Sequence, residues 1–83
     1  MTFSRWDETP LYQQLARTLR RKIKTGEIPP ATQLPTEHQL ATDYHLSRDT
    51  VRKALRLLRE EGLIRKYKGR GSFVPPTRED PPT

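Results

Sequence analysis

One segment of this 83-residue chain carries an apolar stripe at the spacing of an α-helix. A helix over residues 48–61 would place the stripe on one face, since its members follow the i, i+3, i+4, i+7 pattern. Ser47 can cap the start of this helix and Gly62 can stop it. The stripe consists of Val51, Ala54, Leu55 and Leu58. Because one helix cannot bury such a face alone, the rest of the chain must supply partners for it.

A shorter helix is predicted immediately before this one. Thr36 and Gln39 have the spacing of a capping box, and Leu40 and Tyr44 extend the helical pattern for about two turns. This helix should end near His45, at a position where a positive φ is often required and His tolerates it better than most residues. Two helices joined by so short a turn are typical of a helix-turn-helix, in which the second is the recognition helix.

The first helix is predicted over residues 10–25. Thr9 can cap it, Pro10 suits its first position, and Gly26 suits its C-terminal stop. Its apolar face is formed by Leu11, Tyr12, Leu15, Ala16, Leu19 and Ile23. Pro29 and Pro30 then prevent the helix from continuing.

The last element is predicted to be a β-hairpin. Residues 63–67 and 72–74 are two short β-prone runs that flank the Gly-containing loop 68–71. The predicted fold class is therefore mainly α with a small β-hairpin, a winged helix-turn-helix of three helices plus a β wing over residues 66–72. Outside the domain of residues 10–74 we predict an N-terminal arm, 1–9, and a Pro-rich linker or tail, 75–83.

Composition limits the function. The net charge is +6, and residues 46–71 alone contribute nine basic against three acidic residues, which favours a polyanionic partner. The chain has no Cys and no apolar run long enough to span a membrane. No nucleophile–His set, acid pair or metal-ligand cluster stands out, so we expect neither an enzyme nor a cofactor or metal site. We also expect Trp6 and Tyr67 to be packing residues rather than stacking platforms, which disfavours RNA binding.

The recognition helix offers cations on one side. Arg48, Arg52, Arg56 and Arg59 fall within about a quarter turn at roughly 100° per residue. Arg suits bidentate contact with guanine and pairing with phosphate. The first turn of such a helix enters the major groove, which makes Arg48, Asp49, Thr50 and Arg52 the base-reading candidates. The alternative is an ordinary solvated face, partly neutralised by Glu60 and Glu61.

Other residues are candidates for the DNA backbone. Thr36 at a helix start can contact phosphate, and it can equally be only a structural cap. Phosphate or backbone contacts are predicted for Thr36, Ser47, Lys53, Arg56 and Lys68, with Gly69, Arg70 and Gly71 in the wing. Glycines permit close approach to the backbone, and Arg70 can lie in the minor groove. His38 is a further possible contact.

Several stretches in order resemble the N-terminal DNA-binding domain of the GntR family of bacterial transcription regulators. They are Pro10-Leu11-Tyr12, Gly26-Glu27-Ile28-Pro29-Pro30, Leu34-Pro35-Thr36-Glu37, Leu40-Ala41, Ser47-Arg48-Asp49-Thr50-Val51-Arg52-Lys53-Ala54-Leu55, Leu58, Glu61-Gly62-Leu63-Ile64 and Lys68-Gly69-Arg70-Gly71-Ser72-Phe73-Val74. The chain's opening and its closing Gly-Arg-Gly-Ser-Phe-Val run most resemble the HutC-type branch.

The resemblance implies a repressor that occupies a pseudo-palindromic double-stranded DNA operator as a homodimer. The resemblance implies that Arg48 and Arg52 contact bases and phosphates, and that Thr36 contacts a phosphate. The family often has Arg in place of His38 and a small residue in place of Asp49. Asp49 is therefore expected to shift the operator preference, because a carboxylate repels phosphate but can accept from cytosine N4.

Family members usually continue into an effector-binding domain, which we expect to be absent from this chain. The resemblance also implies a cytoplasmic protein at the bacterial nucleoid, without a membrane segment. The alternative function is a winged-helix module that docks a protein and has no specific DNA site.

Overall fold

Three helices followed by one hairpin make up the computed structural model, which describes residues 8–76. The elements are α1 (Leu11–Thr25), α2 (Glu37–Tyr44), α3 (Arg48–Glu60), β1 (Arg65–Tyr67) and β2 (Gly71–Phe73). This order confirms the predicted fold class. The predicted arm and tail lie mostly outside the described residues, and Trp6 lies outside them too.

Local signals set the start of α2 and α3. Thr36 Oγ1 accepts from the backbone N–H of Gln39, whose side-chain oxygen accepts from the Thr36 N–H, so the predicted capping box is confirmed. Ser47 Oγ accepts from the Thr50 N–H at the start of α3. Between the two helices His45 has φ 58°, in the left-handed region, as predicted.

The predicted start of α1 is wrong by one residue. Pro10, with φ −56° and ψ 148°, is the N-cap rather than the first helical residue, because its ψ is extended. Its carbonyl oxygen accepts from the N–H groups of Gln13 and Gln14, so Pro10 and not Thr9 is the N-cap residue. Gly26, with φ 86°, ends the helix as predicted.

The hairpin begins later than predicted because Leu63, although outside the helix, takes part in the C-terminal capping of α3. The Leu63 N–H donates to Leu58 O, and the Gly62 N–H to Arg59 O, which is the bonding of a Schellman motif around a left-handed glycine. Strand β2 likewise ends at Phe73, since the Val74 N–H donates to Thr32 O.

The segment before α2 anchors the hairpin to the helices. Gln33 forms an isolated bridge with Phe73, and the Leu34 N–H donates to Ser72 O at 2.8 Å. This pairing holds β2 beside the start of α2. In sequence, Pro29 and Pro30 indicate only that α1 ends before this segment.

The core lies between α1, α3 and the hairpin ends. The predicted stripe of α3 is fully or almost fully buried, as are Leu15 and Leu19 of α1. The remaining buried apolar residues are Ala16, Ile23, Leu34, Leu40, Leu63, Ile64 and Val74. Because the stripe is covered by α1, the opposite side of α3 is left to face the surroundings.

Candidate nucleic-acid interface

A groove runs between the start of α2, the exposed side of α3 and one face of the hairpin, and we call it the α3 groove. It is lined by Gln33, Leu34, Pro35, Thr36, Glu37, His38, Arg48, Leu55, Arg59, Lys66, Gly71 and Ser72. Four of the predicted contact residues, Thr36, His38, Arg48 and Gly71, are brought together on this one surface. The groove therefore joins all three predicted elements of the site.

Two carboxylates hold the arginines at the start of α3. Arg52 Nη2 is 3.5 Å from Glu37 Oε1, and Arg52 Nη1 is 3.4 Å from Asp49 Oδ1. Arg48 Nη2 is 4.0 Å from the same Glu37 oxygen. Glu37 was missed as a site residue, and its position directly after the cap Thr36 is the only sequence signal that could have found it. The guanidinium groups remain more than half exposed.

The cap hydroxyls already have partners in the fold. Ser47 Oγ and Thr50 Oγ1 are 2.8 Å apart and share a hydrogen bond, and Thr50 is half-buried. Thr36 Oγ1 is 3.0 Å from the Gln39 nitrogen. A phosphate contact at Thr36 or Ser47 would therefore add to a structural role that each residue already has.

The four arginines of α3 do not share one surface. Arg48 and Arg59 line the α3 groove, whereas Arg56 lies with Lys53 beside a separate hollow on the α1 flank. That hollow is completed by Tyr12, Leu57 and Glu60. The predicted quarter-turn set is thus divided, and Arg56 is better placed for a neighbouring backbone or a partner than for the groove.

Glycines shape the hairpin turn. The Arg70 N–H donates to Tyr67 O, and Gly69 and Gly71 have φ values of 77° and 86°. A Cβ on Gly71 would stand 3.2 Å from Gln33 Nε2, which itself donates to Arg70 O at 2.8 Å. The turn therefore needs glycine at position 71 for both conformation and space.

The two faces of the hairpin differ. Lys66 pairs with Ser72 in the register, and both line the α3 groove. Tyr67 and Phe73 lie on the other face in an edge-on contact, with ring centroids 5.5 Å apart, beside Lys68 and Arg70. Tyr67 packs against the Phe73 ring, in line with the expectation of a packing residue, and it is also 46% exposed.

Glu61 does not neutralise the arginine side of α3. Its carboxylate oxygens accept from Arg20 Nε at 2.8 Å and Nη2 at 2.7 Å, which ties α1 to the end of α3. The hydrogen bonds from Arg20 lower the pKa of Glu61, and those to Glu61 raise the pKa of Arg20, in each case against an opposing effect of burial. The Tyr44 hydroxyl, and to a lesser extent Glu27, raises the pKa of Lys22.

Two other features are absent from residues 8–76. No three His, Asp or Glu side chains in this part of the chain are grouped so that they could hold a metal ion. None of its helices is long and apolar enough to cross a membrane.

Comparison with known proteins agrees with this geometry. Residues 11–74 match the family described as bacterial regulatory proteins, gntR family. The chain is 42% identical to the HTH-type transcriptional repressor NagR of Bacillus subtilis over 74 residues, 89% of this chain and 30% of the relative. It is 45% identical to the mannosyl-D-glycerate transport/metabolism system repressor MngR of Escherichia coli over 65 residues, 78% of this chain and 27% of the relative.

Solved structures show the same fold. The crystal structure of the AraR DNA-binding domain in complex with operator ORR3 has a TM-score of 0.78 and 35% identity, and the match covers 82% of each chain. A GntR family transcriptional regulator from Listeria monocytogenes has a TM-score of 0.83 and 25% identity, over 90% of this chain and 64% of that one. The chain spans less than a third of the length of the curated relatives named above. By sequence and by fold, the chain belongs to the gntR family of bacterial regulatory proteins.

Proposed function

We propose that this chain binds a specific double-stranded DNA sequence, with α3 in the major groove and the hairpin against the adjacent backbone and minor groove. The single observation that carries the proposal is the α3 groove, where Arg48, Arg59 and Lys66 converge beside the start of α2. A cationic surface along the exposed side of a helix fits the width and charge of a DNA major groove. The AraR domain of the same fold is in complex with an operator, which supports this reading.

Base reading is proposed for the first turns of α3. Arg48 and Arg52 would donate to guanine, and Asp49 would accept from cytosine N4. Thr50 is the weakest of the proposed readers, since its hydroxyl is bonded to Ser47. His38 lines the groove and is exposed, so it can reach either a base or a phosphate.

Backbone contacts are proposed for the surrounding residues. Those at the helix starts and on α3 are Thr36, Ser47, Lys53 and Arg56, and those of the wing are Lys68, Gly69, Arg70 and Gly71. Lys68 and Arg70 are exposed at the hairpin tip, where a phosphate or the minor groove could meet them. These contacts would position the chain without reading sequence.

We propose repression by operator occupancy as the biological role, with two copies on a pseudo-palindromic site. The support is that NagR and MngR are named repressors. Their role as regulators also supports a binding protein rather than an enzyme, located with the bacterial chromosome. The domain limits 10–74 remain part of the proposal, with the flanking segments as arm and linker.

Selection of duplexes from a random library tests the proposal directly. We expect enrichment of one sequence, and binding to it that weakens steeply with salt, because the hairpin and α3 displace counterions. Arg52→Ala should then cost about 1–3 kcal/mol on the selected duplex and relax preference at one base pair. Arg17→Ala, which removes an exposed Arg on the far helix α1, is the matched control and should leave the base preference unchanged.

Two outcomes would overturn the assignment. Equal affinity for all duplexes would favour the alternative of a protein-docking winged helix without a DNA site. If one duplex is enriched but its binding is unaffected by Arg52→Ala, the chain binds specific DNA and α3 is not the element that reads its bases.

A further inference from the structure

The carboxylate of Glu37 lies between the two arginines to which the proposed function gives base contacts. One of its oxygens is 3.5 Å from Arg52 Nη2 and 4.0 Å from Arg48 Nη2. The Glu37 side chain is 26% exposed, whereas those of Arg48 and Arg52 are 61% and 52% exposed. The better buried member of the cluster is therefore the carboxylate on α2, and the guanidinium groups extend outward from it.

Stabilisation of helix α2 explains only in part why a glutamate stands at position 37. It lies in the first turn of α2, where a negative charge interacts favourably with the helix dipole. However, α2 is already capped by Thr36 and Gln39 without help from the Glu37 side chain. Exposed ion pairs also contribute little to folding. The larger consequence of Glu37 is for the charge and orientation of the arginines that it contacts.

The cations of the positive surface are of two kinds, those paired with a carboxylate and those that are not. At the start of α3, the charges of Arg48 and Arg52 are balanced by those of Glu37 and Asp49. The hairpin has four cations, Arg65, Lys66, Lys68 and Arg70. None of them forms an ion pair with another residue of the described range 8–76. Lys53, Arg56 and Arg59 of α3 likewise form no ion pair within residues 8–76, so attraction for phosphate of any sequence falls on the hairpin and on these cations rather than on Arg48 and Arg52.

A paired arginine can still read a base. A guanidinium group has five N–H donors, and bidentate contact with guanine O6 and N7 uses only two of them. Arg52 can thus keep its contact with Glu37 while it donates to guanine. A phosphate in the same place would bring its negative charge against both carboxylates, which is unfavourable in a groove that excludes water.

We propose that Glu37 is a specificity-determining residue that acts through Arg48 and Arg52. It positions their guanidinium groups for base edges and penalises their use on phosphate, so that it weakens binding to non-operator DNA more than binding to the operator. This inference rests on the proposed function, since it assumes that α3 enters the major groove.

Glu37→Gln tests the inference, because it removes the charge and keeps the size and the capping box. The probes are the duplex obtained by selection and a pool of random duplexes of equal length. We expect the variant to bind the random pool about fivefold more tightly at low salt, as one repulsive charge is lost near the backbone. The ratio of the two affinities should fall by about five- to tenfold, because the arginines also lose a fixed orientation.

Glu60→Gln is the matched control, with the same chemical change on the far end of α3 and outside the groove. It should change both affinities by one common factor and leave their ratio intact. In an Arg52→Gln background, Glu37→Gln should alter the ratio less than it does in the unaltered chain, since one of the two guanidinium groups through which Glu37 acts is then gone. Thermal unfolding of each variant checks that the fold is kept, and Glu37→Asp provides a second variant that retains the charge.

The failures of the two proposals are distinguishable. If the unaltered chain binds both probes equally, the proposed function fails before Glu37 is tested. If the unaltered chain discriminates and Glu37→Gln behaves like Glu60→Gln, only the inference about Glu37 is overturned. The inference about Glu37 is also overturned if the ratio of the two affinities falls as far in Glu37→Asp as in Glu37→Gln. A carboxylate would then be present at this position without effect.

Discussion

His45 is a single residue on which the angle between α2 and α3 depends. Its backbone is left-handed, with φ 58° and ψ 47°, and its N–H donates to Thr42 O. The next N–H, from Leu46, donates back to Ala41 O at 2.9 Å. An L-residue with a Cβ pays about 1–2 kcal/mol for this conformation. The imidazole is exposed, so little packing offsets that strain.

Replacing this residue by glycine should therefore stabilise the fold. We expect His45→Gly to raise the free energy of unfolding by about 0.5–1 kcal/mol, seen as a melting temperature higher by about 2–6 °C. His45→Ala is the control, because alanine keeps the Cβ and should bring no gain. A glycine variant no more stable than the alanine variant would show that the turn is not strained.

At the scale of elements, α3 begins at a serine that has both a structural and a proposed functional role. Ser47 Oγ accepts from the Thr50 N–H and lies 2.8 Å from the Thr50 hydroxyl. Aspartate is as good a cap as serine, whereas alanine is not. The two roles can therefore be separated by substitution.

Ser47→Ala should lower the free energy of unfolding by about 0.5–2 kcal/mol, and Ser47→Asp should leave it nearly unchanged. If a phosphate lies near Ser47, as proposed, the aspartate variant should nevertheless bind all duplexes about five- to tenfold more weakly through charge repulsion. Thermal unfolding and duplex titration measure the two effects. Undiminished DNA binding by Ser47→Asp would leave Ser47 as a helix cap alone.

The helices could be predicted because their signals are local. A cap, an apolar stripe and a glycine stop lie within one segment, so α2 and α3 were found nearly to the residue. The features that were missed depend on distant parts of the chain. Nothing near Gln33 in sequence indicates its bridge to Phe73, and nothing near Glu37 indicates which arginines it will meet. Ala31, with φ 64°, likewise lacks the usual glycine or asparagine signal.

Across the whole molecule, the pair Arg20–Glu61 connects the first helix to the end of the third, 41 residues apart in sequence. Both side chains are about one-third exposed, so the pair is partly screened by solvent. Its geometry is bidentate, which favours a measurable contribution of about 0.5–1 kcal/mol. The hydrogen bonds from Arg20 hold the pKa of Glu61 below its ordinary value.

The sign of the pH dependence follows from that lowered pKa. A carboxyl group that is more acidic in the folded chain stabilises the fold above its unfolded pKa of about 4.3 and loses this contribution as pH falls through its folded pKa. A double-mutant cycle with Arg20→Gln and Glu61→Gln isolates the pair. We expect a coupling of about 0.5–1 kcal/mol at pH 7 that shrinks at acid pH as the Glu61 carboxylate becomes protonated.

The cycle is measured by denaturant unfolding at each pH. A coupling that is equally large at pH 7 and pH 2 would mean that Arg20 and Glu61 interact by packing rather than by charge. A coupling of zero at pH 7 would mean that solvent screens the pair completely. The arrangement of α1 and α3 that presents the α3 groove would then owe nothing to this ion pair, and apolar packing by residues such as Leu15, Leu19 and Ile23 would be what holds the first helix.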